Sequence, residues 1–212
     1  MADAPSYAAR LDIDYPEQLD RLTSFFRLIW AIPIFVILGL LSNSTSTRIV
    51  NEAGRIVETS SGGITAGLFL ATVLMIVVRQ KYPRWWFDFG LEFGRFSTRV
   101  CAYVLLLTDK YPSTDEAQSI HLDVDYPDAL GGLNRWQPLV KWFLAIPHYI
   151  ALAVLFVLVV VVTIIAWLAI LFTGRYPRGL FGFVVGTMRW GTRVWAYAFL
   201  LVTDEYPPFS MS

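Results

Sequence analysis

The chain has 212 residues, a formal net charge of zero, 56% apolar and 16% charged residues, against about 45–50% and about 25% in an ordinary soluble domain. Together with eight Trp, ten Tyr and fifteen Phe, rings that collect at membrane–water interfaces, this balance excludes a disordered chain, a nucleic-acid binder and a disulfide-stapled module. One cysteine, Cys101, and two histidines, His121 and His148, leave no internal disulfide and too few ligands for a zinc site. The reading is an all-α integral membrane protein without metal or cofactor.

Residues 1–21 carry Asp3, Arg10, Asp12, Asp14, Glu17, Asp20 and Arg21 without an apolar run, so the first apolar segment is expected to be a retained membrane element rather than a cleaved leader. Leu11-Asp12-Ile13-Asp14-Tyr15 alternates apolar and acidic residues, the pattern of a short half-buried strand. Leu22 to Leu41 supplies a first span of the required length of about 20 residues, with Arg27 near its start and Pro33 as a kink. Ser42 to Gly63 reads as a polar loop, and Asn43-Ser44-Thr45 within it is formally a glycosylation acceptor. Ile64 to Val78 supplies a second span, ended by Arg79, Lys81 and Pro83. In the following segment, Trp85 to Leu107, Asp88, Glu92, Arg95 and Arg99 fall on one stripe of an amphipathic helix that suits the interface plane.

Leu122 to Tyr126 repeats the strand pattern, and the two strands are expected to pair as a small cytoplasmic ribbon resting on the rest of the molecule. The apolar run from Phe143 to Phe172 would make a helix of about 45 Å, too long for a hydrocarbon core of about 30 Å. It is expected to divide into arms at 139–155 and 158–173, although the turn near Leu155 to Leu158 holds no Gly, Pro or Asn. Leu180 to Val202 forms a second amphipathic segment whose stripe reads Gly182, Gly186, Arg189 and Arg193. Each Tyr-Pro beyond the amphipathic segments is expected to break the helix.

The chain resembles itself. Leu11-Asp12-Ile13-Asp14-Tyr15-Pro16 returns as Leu122-Asp123-Val124-Asp125-Tyr126-Pro127, Trp30-Ala31-Ile32-Pro33 as Leu144-Ala145-Ile146-Pro147, Lys81-Tyr82-Pro83-Arg84 as Arg175-Tyr176-Pro177-Arg178, and Thr108-Asp109-Lys110-Tyr111-Pro112 as Thr203-Asp204-Glu205-Tyr206-Pro207. The order is collinear, and the offset runs from 111 to 114, falls to 94 at Lys81 and Arg175, and is 95 at the final Thr-Asp match, which places the extra 20 residues of copy one in the Ser42–Gly63 loop. Two tandem copies, 1–112 and 113–212, are therefore expected. Each is a transmembrane hairpin, with spans at 22–41 and 64–78 or at 139–155 and 158–173, followed by an amphipathic helix at 85–107 or 180–202. Of 17 Lys and Arg, only Arg48 and Arg55 lie in the loop. The positive-inside bias therefore puts both termini and the Tyr-Pro turns on the cytoplasmic side.

Pro138-Leu139-Val140-Lys141-Trp142-Phe143-Leu144-Ala145-Ile146-Pro147-His148-Tyr149, Leu171-Phe172-Thr173-Gly174-Arg175-Tyr176-Pro177-Arg178-Gly179-Leu180-Phe181 and Thr203-Asp204-Glu205-Tyr206-Pro207-Pro208-Phe209-Ser210 resemble the signature of a bacterial membrane family, domain of unknown function 4389. Copy one matches more loosely, with Trp85-Trp86 in place of Gly179-Leu180. The resemblance implies a bacterial inner-membrane location and no established activity. Some relatives carry a lipase label, but this chain has no G-x-S-x-G elbow, and no catalytic residue is assigned.

Arg95, Arg99, Arg189 and Arg193 are the candidate site residues, either as inter-helix ion-pair partners of nearby acids or as bidentate ligands of anionic lipid headgroups. Lys81, Tyr82, Arg84, Arg175, Tyr176 and Arg178 are expected to be interfacial anchors. Asp12, Asp14, Asp123 and Asp125 read as solvated strand faces or salt-bridge partners of the stripe arginines. His148 reads as making a structural hydrogen bond to a backbone carbonyl or hydroxyl, with axial ligation of a haem or chlorophyll as the alternative. The resulting expectation is a non-catalytic, multi-pass structural or accessory subunit of a larger inner-membrane assembly. Membrane lipids and other subunits or self-association are its partners, and nucleic acid is not. A lipid-handling protein is the alternative, and a lipase-like hydrolase is a distant third.

Overall fold

A computed structural model of the chain describes residues 7–42, 45–50, 56–61, 63–114, 116 and 118–212. In chain order the elements are β1 (Ala9–Ile13), α1 (Arg21–Ser42), β2 (Thr45–Val50), β3 (Ile56–Ser61), α2 (Ile64–Arg79), α3 (Arg84–Val104), β4 (Ile120–Val124), α4 (Lys141–Leu144), α5 (Ile146–Thr173) and α6 (Arg178–Trp195). A 3₁₀ turn at Gln137–Leu139 precedes α4, and a π-helical turn at Ala196–Leu200 continues α6.

The alternating segments pair as expected. β1 and β4 run antiparallel with Leu11 opposite Leu122, Ala9 opposite Val124 and Ile13 opposite Ile120. Exchanging the two matched segments maps this register onto itself. Ala9, Leu11, Ile13, Ile120, Leu122 and Val124 point inward and are buried, while Arg10, Asp12, His121 and Asp123 face out. A two-stranded ribbon is marginal alone; here α6 covers the inner face of β1 and α3 that of β4.

The other sides of α3 and α6 carry a third layer of apolar helices, so the molecule is sheet on helices on helices. Ile34 of α1 packs with Phe96 and Val100 of α3, and Ala145 and Leu152 pack with Trp190 and Val194 of α6. Farther along α5, Val159, Ala166 and Ile170 join Tyr176, Phe181 and Val184 in the main core. The helices approach closely where glycine allows it. A Cβ on Gly94 of α3 would lie 2.5 Å from Cη2 of Trp195, so Gly94→Ala is expected to cost about 1–3 kcal/mol by overpacking. Gly179→Ala, where nothing lies within 4 Å, is expected to be neutral or to stabilise by up to about 1 kcal/mol. Thermal unfolding of the two variants in mild detergent reads the difference.

Several expectations are corrected. Residues 146–173 form one unbroken helix, not arms at 139–155 and 158–173. Leu155 to Leu158 offers no Gly, Pro or Asn to turn on, and every residue there continues the i→i−4 ladder at little cost. Pro147 sits at the start of α5, where a missing N–H is harmless, and the helix stops at Gly174 (φ 70°), a left-handed cap. The Ser42–Gly63 segment contains a hairpin, β2 pairing antiparallel with β3 from Thr45 opposite Ser61 to Val50 opposite Ile56, because its Thr, Ile and Val residues favour strands. Asn43, Ser44 and Arg55 lie outside the described residues. Finally, α3 and the α6 helical turns end before the Tyr-Pro pairs, at Leu106 (φ 66°) and Leu201 (φ 61°). These left-handed leucines redirect the chain, with Leu107 N bonded to Ala102 O and Val202 N to Ala196 O.

Candidate functional site

The four stripe arginines turn towards the sheet and the chain segments that follow the helices. Arg189 donates from Nε to Leu11 O (2.9 Å) and from Nη2 to Asp12 (2.7 Å). Arg95 does the same on the other strand, from Nε to Leu122 O (3.0 Å) and from Nη2 to Asp123 (3.4 Å), and it also pairs with Glu92. Each guanidinium thus staples a helix to the edge of a strand. Arg99 donates to Ser113 O (2.8 Å), and Arg193 donates to Ser210 O and Ser212 O, so the second pair holds the segments beyond each Tyr-Pro. Arg95 and Arg189 thus pair with acids, whereas Arg99 and Arg193 donate to backbone carbonyls. Of the other acids, Asp125 pairs with Arg10 (2.7 Å), and Asp14 lies 3.5 Å from His121.

Two further cations, not singled out by the sequence, are buried. Arg27 is 2% exposed, and its Nη1 donates to Tyr103 O (2.9 Å) and Thr108 O (2.6 Å) while Nη2 pairs with Asp109. Lys141 is 0% exposed and pairs with Asp204 (2.6 Å) while donating to Thr203 O (2.7 Å). Each also sits over a tyrosine ring, Arg27 at 4.6 Å from Tyr103 and Lys141 at 5.3 Å from Tyr197. The second oxygen of each aspartate caps a backbone N–H at matched positions, Asp20 and Asn134. Burial lowers the Lys141 pKa, and Asp204 works against that shift. The repeat itself sets Lys141 against Arg27 and Asp204 against Asp109, so the sequence carries the signal for this arrangement.

The expected anchors divide. Lys81, Arg84, Arg175 and Arg178 are exposed, but Tyr82 and Tyr176 are buried in the core rather than standing at a rim. Both serve as crossing points between the halves: Tyr15 Oη donates to Tyr176 O (2.5 Å), and Tyr126 Oη donates to Tyr82 O (2.5 Å). Arg178 lies over the Tyr15 ring and Arg84 over the Tyr126 ring, each at 5.0 Å. Burial raises the Tyr176 phenol to about 12, with nearby Thr163 opposing the shift, and burial raises Tyr7 and Tyr82 as well. An unfolded tyrosine loses its proton near 10, whereas folded Tyr176 keeps it to about 12. The folded state then holds more protons between those values, so stability falls as the pH rises from 10 to 12 and is unaffected below. Tyr176 alone accounts for at most about 3 kcal/mol. Melting at pH 9, 10 and 11 is expected to show this loss, and Tyr176→Phe to shrink it.

His148 is fully buried. Its Nδ1 accepts from the indole Nε1 of Trp190 (3.1 Å), not from a carbonyl or hydroxyl as expected, and its ring stacks on Phe209 at 4.0 Å. A neutral imidazole accepting at Nδ1 carries its proton on Nε2. That nitrogen has no partner among the described residues.

Where α3 and α6 diverge beneath α5, a groove of about 600 Å³ is lined by Ser97, Cys101, Tyr149, Leu152, Phe156 and Thr192 among others. Phe93 and Trp195 separate it from a second cavity of about 430 Å³ beneath α2, lined by Phe69, Thr72, Phe89 and Phe199. Both volumes lie within the range of about 300–1,000 Å³ typical of small-molecule sites. The hydroxyls of Ser97 and Tyr149 are buried without hydrogen-bond partners among the described residues. No group of three His, Cys, Asp or Glu able to hold a metal occurs among the described residues.

Residues 135–211 match the model of a family described as Domain of unknown function (DUF4389), a stretch that takes in Lys141, α5, α6, Asp204 and the aromatic cluster around His148. No curated protein and no solved structure matches the chain.

Proposed function

We propose that the chain is a non-catalytic, membrane-embedded structural or accessory subunit of a larger assembly in a bacterial cytoplasmic membrane, built from a tandem duplication at 1–112 and 113–212. The observation that carries this reading is the exposure of the apolar helices. The Arg21–Leu41 and Ile146–Thr173 helices are long and apolar enough to cross a membrane, yet only 22% and 17% of their most apolar windows are buried. A soluble monomer rarely exposes so continuous an apolar face. The duplication is supported by the self-mapping β1–β4 register, the paired Arg27–Asp109 and Lys141–Asp204 bridges, and the exchanged Tyr15–Tyr176 and Tyr126–Tyr82 contacts. The exposed Lys81, Arg84, Arg175 and Arg178 lie beside the sheet layer, which favours a cytoplasmic sheet. Native mass spectrometry of the chain extracted from its own membranes in mild detergent tests the subunit role. An assembly of fixed stoichiometry is expected, and a lone 24.1 kDa species would contradict it.

A second reading, lipid handling, is favoured by the α3–α6 groove and its unpartnered Ser97 and Tyr149 hydroxyls, which would meet the polar end of a lipid whose chain fills the apolar remainder. Leu152→Trp is expected to occupy that space and to remove a co-purifying lipid mass. Unchanged lipid content in that variant would end this reading.

A further inference from the structure

The membrane reading above is the premise for a more specific one. We propose that α5 does not cross the bilayer but lies in its plane, immersed among the acyl chains of the single leaflet adjoining the sheet. The reason is a closed circuit of contacts. At the amino end of α5, Lys141 is bound to Thr203 and Asp204, and the neighbouring Glu205 O accepts from Tyr7 Oη, just before β1 begins at Ala9. At the carboxyl end, Gly174 O accepts from Leu19 N and Tyr176 O accepts from Tyr15 Oη, just after β1 ends at Ile13. The two ends of α5 are therefore tied to the two ends of one strand. Between them α6 packs against β1 on one side and against α5 on the other. The three elements lie side by side.

The outer face of that strand layer carries Arg10, Asp12, Asp14, His121, Asp123 and Asp125, all solvent-exposed. A spanning α5 would carry this charged face, paired but open on its outer side, through the hydrocarbon alongside it, where ionisable side chains are costly unless they face the protein interior or water. Laid flat, the layers instead stack along the membrane normal, with the charged sheet in water and α5 roughly 20 Å below it at spacings of about 10 Å per layer. The pattern of exposure on α5 fits the flat orientation. His148, Val159, Ala166 and Ile170 face inward, while Ile150, Val154, Val157, Val161, Ile165 and Phe172 make one exposed apolar row from end to end. The length fits as well, since 28 residues extend about 42 Å, beyond the hydrocarbon thickness of about 30 Å. Trp136 and Trp142 near one end and Arg175 and Arg178 near the other are exposed, the residue types that settle at headgroup level.

The test places one cysteine beside each end of α5. The full chain carrying Trp142→Cys, Arg175→Cys and Cys101→Ser is reconstituted into phosphatidylethanolamine–phosphatidylglycerol vesicles and isolated by flotation. A membrane-impermeant maleimide is then added outside, and intact mass is measured, with a detergent-solubilised sample establishing that both thiols react. An in-plane helix gives two adducts or none on each molecule, whichever way it inserted. One adduct per molecule would overturn the in-plane placement while leaving the membrane reading intact. Failure of the protein to float would overturn the membrane reading itself, and the in-plane placement with it.

Discussion

Asp204→Ala is expected to destabilise the chain by about 3–5 kcal/mol, the range for removing one partner of a buried ion pair. The reason is what stays behind. Lys141 is wholly buried, and its remaining direct acceptor is Thr203 O, so the ammonium would be left largely unneutralised in an apolar setting. The Asn134 N–H would lose its acceptor at the same time. Asp109→Ala should produce a comparable loss around Arg27, since Arg27 and the Asp20 N–H share that carboxylate. Replacing both partners together, Lys141→Met with Asp204→Asn, is expected to recover most of the stability, because an apolar substitute of similar volume removes the desolvation cost along with the attraction. Thermal or SDS-titrated unfolding in mild detergent measures all three. Equal losses for the single and double variants would show that the pair itself, rather than the stranded charge, holds this end of the molecule.

The second large effect is expected at the centre of the sheet. Leu11 and Leu122 face each other across β1 and β4 and are 6% and 3% exposed. Either Leu→Ala change is expected to cost about 2–5 kcal/mol through lost burial and the cavity left behind. Because the two side chains share one space, the double variant should depart from additivity by about 0.5 kcal/mol or more. A sum matching the two single losses would show that the two leucines do not share a cavity.

Much of this architecture was legible in the sequence because two simple periods dominate it. Alternation at Leu11–Tyr15 and Leu122–Tyr126 placed the strands to within a few residues, since a sheet with one wet face must alternate. The charged stripe ending in Arg95 and Arg99 marked the polar side of α3, where Arg95 reaches β4 and Arg99 holds Ser113 beyond the helix. The misreadings have physical causes. Aligning the second half on the first imposed a hairpin on residues 143–172, although nothing in Leu155 to Leu158 turns a chain. Tyr beside Lys and Arg is the composition of a rim, and only the tertiary contacts reveal that Tyr82 and Tyr176 are each gripped from the other half. For Arg27 and Lys141 the signal lies in the repeat, where the two cations occupy matched positions and so do Asp109 and Asp204.

The candidate site was less legible than the fold. The grooves arise where α3 and α6 separate beneath α5, and a gap between helices leaves no periodic mark in any one segment. Ser97 and Tyr149 look in sequence like the many other hydroxyls of an apolar chain, and only their placement along one groove, without hydrogen-bond partners among the described residues, distinguishes them.

On the proposed membrane placement, one broad face of the molecule meets hydrocarbon and the other meets water. Hydroxyl-radical footprinting of the full chain in lipid nanodiscs, read residue by residue by mass spectrometry, tests it most directly. His121, Tyr126 and Trp136 are expected to be oxidised while Leu28, Phe35, Phe156 and Val157, though exposed in the isolated chain, remain unmodified until lipid is removed. Equal oxidation of the two groups in the nanodisc would contradict the account.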